Sequence, residues 1–259
     1  MKRYSYYIQY LDDPIEFAEI ISEVSGNVRH KIFKTISNFC KYLDLRYGLE
    51  THTYWLSLRK KLGFKWAGEY QKGVSVSLEE AVKAIELAIE ESKAVAIRIW
   101  FLAVSGSRPI YLKFMSWNNI ANINNYYYVY IGREKSTKRA YIAALTPNLY
   151  KVLMKFKERG KHTPFGVSRD HEYKALKRIR EVIPHFRYYA LRHFNATYLL
   201  IKGLMKEEID FLQGRAPISV LQRYYLHLDE KQILQLLLDK HNKAFREFEE
   251  RILGFFEQA

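Results

Sequence analysis

The most constraining feature of this chain is the run Lys93–Val104, which is apolar on most sides of a helix and broken only by Arg98. A helix of that kind has no solvent face and must be buried among other elements. It stops at Ser105-Gly106-Ser107-Arg108-Pro109. Gly and Pro mark a turn there, so Arg108 falls at a junction between elements. The preceding segment supplies a helix start: Ser77 and Glu80 have capping-box spacing, and Val82, Ile85 and Ile89 then share one face.

Downstream, Tyr126–Ile131 and Arg139–Leu145 are β-branched and aromatic and are expected to be two strands joined by the polar turn Gly132–Lys138. Thr146-Pro147 opens a helix that Gly160 closes. From Asp170 onward the pattern is mostly helical. Its last stretch, Asp229–Phe256, places Ile233, Leu236, Leu237, Ala244, Phe248 and Ile252 on one face. That stripe fits equally a helix packed on its own chain and one reaching a neighbour. Upstream, Ile32, Ile36, Phe39, Cys40 and Leu43 have helical spacing, as do Trp55, Leu58 and Leu62 within Tyr54–Leu62. Gly68–Ser77 reads as a linker. The expected fold is mainly α with a small antiparallel β-sheet, divided into a helical unit over 1–73 and a larger unit over 74–259.

Charge narrows the partner class. The chain of 259 residues carries 42 Lys and Arg against 28 Asp and Glu, a formal net charge of +14. A field of that sign and size attracts polyanions and releases counterions from nucleic acid. One cysteine, Cys40, excludes an intramolecular disulfide, and neither CxxC nor zinc-ligand spacing occurs. His185, His193 and His227 have no metal spacing. The first residues lack the apolar core of a signal peptide. Ala94–Val104 is too short to span a bilayer. A cytoplasmic protein with no metal, no cofactor and no membrane partner is expected.

Three clusters carry the chemistry: Gly106-Ser107-Arg108-Pro109, the turn Glu134-Lys135-Ser136-Thr137-Lys138-Arg139, and the run from Tyr189-Ala190-Leu191-Arg192-His193 through Gly214-Arg215 to Tyr224-Tyr225-Leu226-His227. Phosphoryl transfer asks little covalent chemistry of a protein. It needs a nucleophile, positive charge for the equatorial oxygens and an acid for the leaving oxygen. Arginine's planar fork can hold two phosphate oxygens. A lysine on a hairpin turn can protonate a leaving group, and a tyrosine can attack phosphorus and leave again.

In this order the clusters resemble the tyrosine recombinase (phage integrase) family. Leu191-Arg192-His193-Phe194-Asn195-Ala196-Thr197 is similar to its LRHTFAT box, the Gly-Ser-Arg-Pro turn to its first-arginine box, and the Lys135 hairpin to its hairpin lysine. The resemblance implies a recombinase catalytic fold, preceded by a small helical core-binding unit, whole or partial. It implies that Arg108 and Arg192 clamp the scissile phosphate and that Lys135 (rival, Lys138) protonates the 5′ oxygen. Arg215 takes a third phosphate contact, where His or Trp is usual. Tyr189 stands where the family's His-x-x-Arg box has His, which leaves the acceptor of the nucleophile's proton open, since a phenol with a reference pKa near about 10 is a poor base. These two departures resemble the integrases of archaeal viruses and plasmids.

By the family's frequent Tyr-x-His ending the resemblance implies Tyr225 as the nucleophile, with Tyr224, given by the common bacterial register counted from Gly214-Arg215, its rival. On a helix the two phenols would point about 100° apart. The implied function is site-specific integration through a 3′-phosphotyrosine on double-stranded attachment sites, in a tetramer on DNA in the host cytoplasm. A type IB-like topoisomerase and an inactive DNA-binding regulator on the same fold are the alternatives. Each residue also has an ordinary reading. Arg108 could neutralise the C-terminus of the buried helix, Lys135 could sit on a solvated tip, and Arg192 could pair with a carboxylate.

Overall fold

The computed structural model describes residues 5–63, 74–131, 141–158, 160, 163–215, 218–225 and 227–258. The chain divides into two compact units, Met1–Lys72 and Gly73–Ala259.

The first unit packs α1 (Pro14–Ser22), α2 (Gly26–Tyr47) and α3 (Thr51–Lys61) around Phe17, Ile21, Ile32, Phe33, Ile36, Cys40, Trp55 and Leu58. Asp13 caps α1, its side chain accepting from the Ile15 and Glu16 amides. Asp44 fastens the α2–α3 turn by accepting from the Thr51 and His52 amides. Edge-on contacts of Trp55 with Phe17 and Phe33 fill the centre.

In the second unit, α4 (Leu78–Glu91) begins at the capping box read from the sequence: Ser77 Oγ accepts from the Glu80 amide and Glu80 accepts from the Ser77 amide. Next comes α5 (Lys93–Ser105), with ten consecutive-range positions from Val95 to Ser105 buried and Arg98 the exception. Arg98 is accommodated because its guanidinium pairs with Glu172 and donates to the Phe165 carbonyl.

Among the described residues the sheet has three strands, where two were expected. β1 (Ile120–Ile123), β2 (Tyr126–Ile131) and β3 (Tyr141–Leu145) lie in the order β1-β2-β3, antiparallel throughout. β1 is absent from the sequence reading because it is four residues long and has no clean alternation. Its turn to β2 is Asn124-Asn125, both with positive φ, 48° and 65°, as a tight two-residue hairpin turn demands. The β2–β3 turn, with Lys135 and Lys138, lies outside the described residues, as do Arg139 and Ala140 at the start of the second expected strand.

The remaining helices are α6 (Pro147–Glu158), α7 (Arg169–Val182), α8 (Tyr188–Ile201), α9 (Lys206–Leu212), the four-residue α10 (Ile218–Leu221) and α11 (Glu230–Gln258). α11 packs on its own chain. Ile233, Leu237, Phe248 and Ile252 are fully buried, and Phe256 lies 5.0 Å from the Trp100 ring. Leu236 is only half buried; Leu234 and Leu238 take that share of the face. Glu249 anchors the helix to the start of α6, accepting from Thr146 Oγ1 and, at 3.0 Å, from Asn148 Nδ2.

Candidate active site

The C-terminal turn of α5 is the centre of the candidate site. Gly106 ends the helix with φ +58°, a left-handed conformation that favours glycine. A Cβ here would lie 2.4 Å from Asn195 Oδ1 and 2.7 Å from Gln213 Nε2, so the close approach also requires glycine. The last carbonyls of a helix have no partner within it. Here α8 and α11 supply them. Asn195 Nδ2 donates to the Ala103 and Val104 carbonyls at 3.0 and 2.7 Å, and His241 Nε2 lies 2.7 Å from the Val104 carbonyl.

Arg192 is 1% exposed and donates from Nη1 to the Gly106 carbonyl at 2.7 Å. Arg192, rather than Arg108, is the side chain that bonds to this cap carbonyl. Arg108, two residues on and only partly buried, points its Nη1 at the Tyr111 hydroxyl at 3.4 Å. Gln213, after α9, completes the junction by donating from Nε2 to the Arg192 carbonyl and to Asn195 Oδ1, at 3.0 and 2.7 Å.

The other cations of the third cluster gather nearby. Burial, then the charges of Arg215 and Arg192, hold His193 below its usual pKa, so these three side chains share one electrostatic neighbourhood. Tyr189, 48% exposed, meets the His193 ring edge-on at 5.5 Å, one turn along α8. Arg215 follows Gly214, whose φ is +65°. Its amide donates to the Asp210 carbonyl at 2.7 Å, and its guanidinium lies 3.5 Å from the Asp210 carboxylate. The fold thus brings together the Arg108 turn, Tyr189, Arg192, His193 and Arg215, and leaves Tyr189 and Arg215 accessible.

The two tyrosines sit apart from that cluster in their contacts. They are not on a helix as expected. Both amides share the Leu221 carbonyl, at 2.9 and 3.0 Å, and the chain leaves α10 as a turn. Tyr224 is 54% exposed. Tyr225 packs partly into the core, and its hydroxyl donates to Glu208 Oε1 and accepts from Lys240 Nζ at 3.1 Å. Lys240 also bonds to Glu208 Oε1 at 2.7 Å. Among the described residues, the partners of that hydroxyl are Glu208 and Lys240, not the arginines.

Burial opposes ionisation of Glu208, but bonds from Lys240, Tyr225 and the Met205 amide together hold its carboxyl below the usual range. Burial and then the neighbouring Glu208 push the Tyr225 phenol up. Burial works against the Lys240 ammonium, and its bonds to Glu208 and Tyr225 more than offset this. Glu208, Lys240, His241, Gln213 and the role of Asn195 are missing from the sequence reading. Glu208 and Lys240 carry no sequence signal, since each sits in a charged helical stretch that resembles a solvated face.

Among the described residues, no group of three or more His, Cys, Asp or Glu is placed to hold a metal ion, and no helix is long and apolar enough to cross a membrane.

Residues 73–232 match the family described as archaeal phage integrase. The chain belongs to that family. The match covers most of the chain and the Arg108, Tyr189, Arg192, Glu208, Arg215 and Tyr225 positions, though not Lys240 or His241, and the integrase carries the function of a site-specific recombinase that breaks and rejoins DNA. The topoisomerase-like and inactive alternatives are not favoured.

Solved structures share its fold. One is the XerH site-specific recombinase bound to a palindromic difH substrate after cleavage, 18% identical, with a TM-score of 0.61 over 86% of this chain and 71% of that one. Another is a lambda integrase(75-356) dimer bound to a COC′ core site, 15% identical, with a TM-score of 0.58 over 81% and 80% of the two chains. A third is a lambda integrase tetramer bound to a Holliday junction, 15% identical, with a TM-score of 0.58 over 86% and 66%. No curated protein matches.

Proposed function

We propose that this integrase cuts and rejoins double-stranded DNA at attachment sites through a 3′-phosphotyrosine on Tyr225, releasing a 5′ hydroxyl that attacks the phosphotyrosine of a partner strand. The bond energy stays in the protein–DNA ester, so the scheme needs neither metal nor ATP. Arg108, Arg192 and Arg215 hold the non-bridging oxygens of the scissile phosphate. Lys135 protonates the departing 5′ oxygen, with Lys138 its rival. Tyr189, half exposed beside His193, hydrogen-bonds the phosphate.

The observation that carries this reading is the bond from Arg192 to the Gly106 carbonyl, which ties the Arg108 turn to α8 in a dry interior. It supports a clamp set before DNA arrives, which is how electrostatic preorganisation lowers a phosphoryl-transfer barrier. Residues 1–73 act as a helical core-binding unit and residues 74–259 as the catalytic unit. The net charge of +14 supports a DNA partner. The tetramer of the similar lambda integrase on a Holliday junction supports an assembly of four protomers on two sites. An archaeal virus or plasmid and the cytoplasm of its host are the fitting source and location.

The test is a nicked suicide substrate that traps the covalent adduct, with peptide mapping of the linked residue. Tyr225→Phe is expected to abolish the adduct and Tyr224→Phe to retain it. The reverse pattern transfers the nucleophile to Tyr224.

A further inference from the structure

We propose that Glu208 is the catalytic residue that takes the proton from Tyr225 during strand cleavage, with Lys240 positioning the pair. This rests on Tyr225 being the nucleophile. The substitution of His by Tyr189 leaves the family's usual His-x-x-Arg pattern without an imidazole at that position, and the fold supplies a carboxylate elsewhere. Glu208 Oε1 accepts directly from the Tyr225 hydroxyl, the reacting atom.

The geometry suits a base more than a surface ion pair does. The Glu208 side chain is fully buried. Its other oxygen, Oε2, accepts from the Met205 amide at 2.7 Å, which fixes the carboxylate plane at the start of α9. Lys240 bonds to both Glu208 Oε1 and the phenol oxygen, so the two acceptor atoms share one cation. The alternatives are placed worse. Tyr189 is a phenol itself, and His193 sits with Tyr189, Arg192 and Arg215 and makes no bond to Tyr225. Lys240 is already protonated by its two bonds.

The step balances without an added reactant. As the Tyr225 Oη–P bond forms, the P–O5′ bond breaks and the phenolic proton, made strongly acidic by bonding to phosphorus, passes to Glu208 Oε1. The 5′ oxygen leaves with the proton of the lysine assigned that role above. In rejoining, the 5′ hydroxyl attacks phosphorus, Glu208 returns its proton to Oη, and the lysine is reprotonated. A carboxylate is a weak base toward a free phenol, so the transfer runs late, together with O–P bond formation. Lys240 keeps Glu208 ionised beforehand and stabilises the phenolate-like oxygen when the ester is broken.

The experiment measures single-turnover adduct formation on the suicide substrate for the full chain and for Glu208→Gln, Glu208→Asp and Tyr225→Phe across pH, with DNA affinity and melting temperature for each. Glu208→Gln is expected to slow the adduct about 100-fold or more, the usual range for loss of a general base, at unchanged DNA affinity. Glu208→Asp recovers part of the rate. The wild-type rate is flat between about pH 6 and 9, whereas that of Glu208→Gln climbs about tenfold per pH unit, because its phenol must ionise to solvent first.

A Glu208→Gln rate equal to or above wild type overturns the proposal and leaves the pair as a latch on the tyrosine. A wild-type rate that itself climbs log-linearly with pH overturns it without any variant, so a poorly folded variant does not rescue it. An adduct that survives Tyr225→Phe shows instead that the nucleophile assignment has failed.

Discussion

At the C-terminal turn of α5, Arg192, Asn195, Gln213 and His241 bond to main-chain carbonyls and to one another in an interior where each is 1% exposed or less. Around Tyr225, by contrast, three side chains bond only among themselves, apart from the Met205 amide on Glu208, and Lys240 is 37% exposed. The first arrangement cannot be exchanged for water without leaving buried carbonyls unpaired, each costing about 1–3 kcal/mol. In the second, water can reach Lys240 and replace its bonds at small net cost, as at most exposed ion pairs, while Glu208 stays buried against Tyr225. The arginine side of the candidate site is therefore closed by the fold, whereas the tyrosine side is open to solvent at Lys240.

The most severe way to break this contrast is Gly106→Ala. The substitution places a methyl group within 2.4 Å of Asn195 Oδ1 at a φ of +58°. Left-handed strain adds about 1 kcal/mol, and displacing Asn195 and Gln213 unpairs two or more buried bonds, for a total of about 4 kcal/mol. For a unit of this size that lowers the melting temperature by about 10 °C. A melting curve that superimposes on wild type removes the claim that this turn is rigid.

The two sides also differ in how far the sequence reveals them. The arginine side was legible because its parts are local. A helix apolar on most sides must be buried, Gly-Ser-Arg-Pro must end it, and Arg192 sits in a seven-residue string with a known counterpart. The capping box at Ser77 and Glu80 is equally local. Glu208 lies among Lys206, Glu207 and Asp210, and Lys240, 32 positions on, lies beside Asp239 and Lys243, and only the packing of α11 on its own chain makes the two neighbours. His241 shows the same limit: it lies between Lys240 and Asn242, which suggests a solvated face, yet it is buried against Phe245 and the Val104 carbonyl. The two strands of the expected sheet were visible from their residue types, while β1 is too short to show a period.

α11 serves both sides, through His241 and Lys240, so its anchoring sharpens the comparison. Burial pushes the Glu249 carboxyl up to about 7, from an ordinary value of 4.5, against the bonds from Thr146 and Asn148 that favour ionisation. The folded state thus holds this proton more tightly than the unfolded chain does. The associated stability is fully present below about pH 4.5 and is lost as pH rises through 7. That gap corresponds to at most about 3 kcal/mol. Glu249→Gln, neutral at every pH, is expected to melt higher than wild type at about pH 8, by the equivalent of about 2 kcal/mol, with the advantage gone near pH 4.5. A difference that is constant with pH shows that Glu249 is not the anchor that titrates.

The smallest stability change is expected at Lys240→Met, and there the comparison is most exposed to failure. Lys240 is half exposed, so water can enter where the ammonium was. Glu208 keeps its bonds from Tyr225 and the Met205 amide. The loss of stability should be about 1 kcal/mol, well under that of Gly106→Ala. Function should respond more than stability does. Without the cation that favours its ionised form, the Glu208 carboxyl titrates at higher pH, so the acid limb of adduct formation moves upward while the rate at high pH falls less. A stability loss as large as that of Gly106→Ala would mean that the tyrosine side is as fixed as the arginine side, and that DNA must unfold part of the site before Tyr225 can reach it.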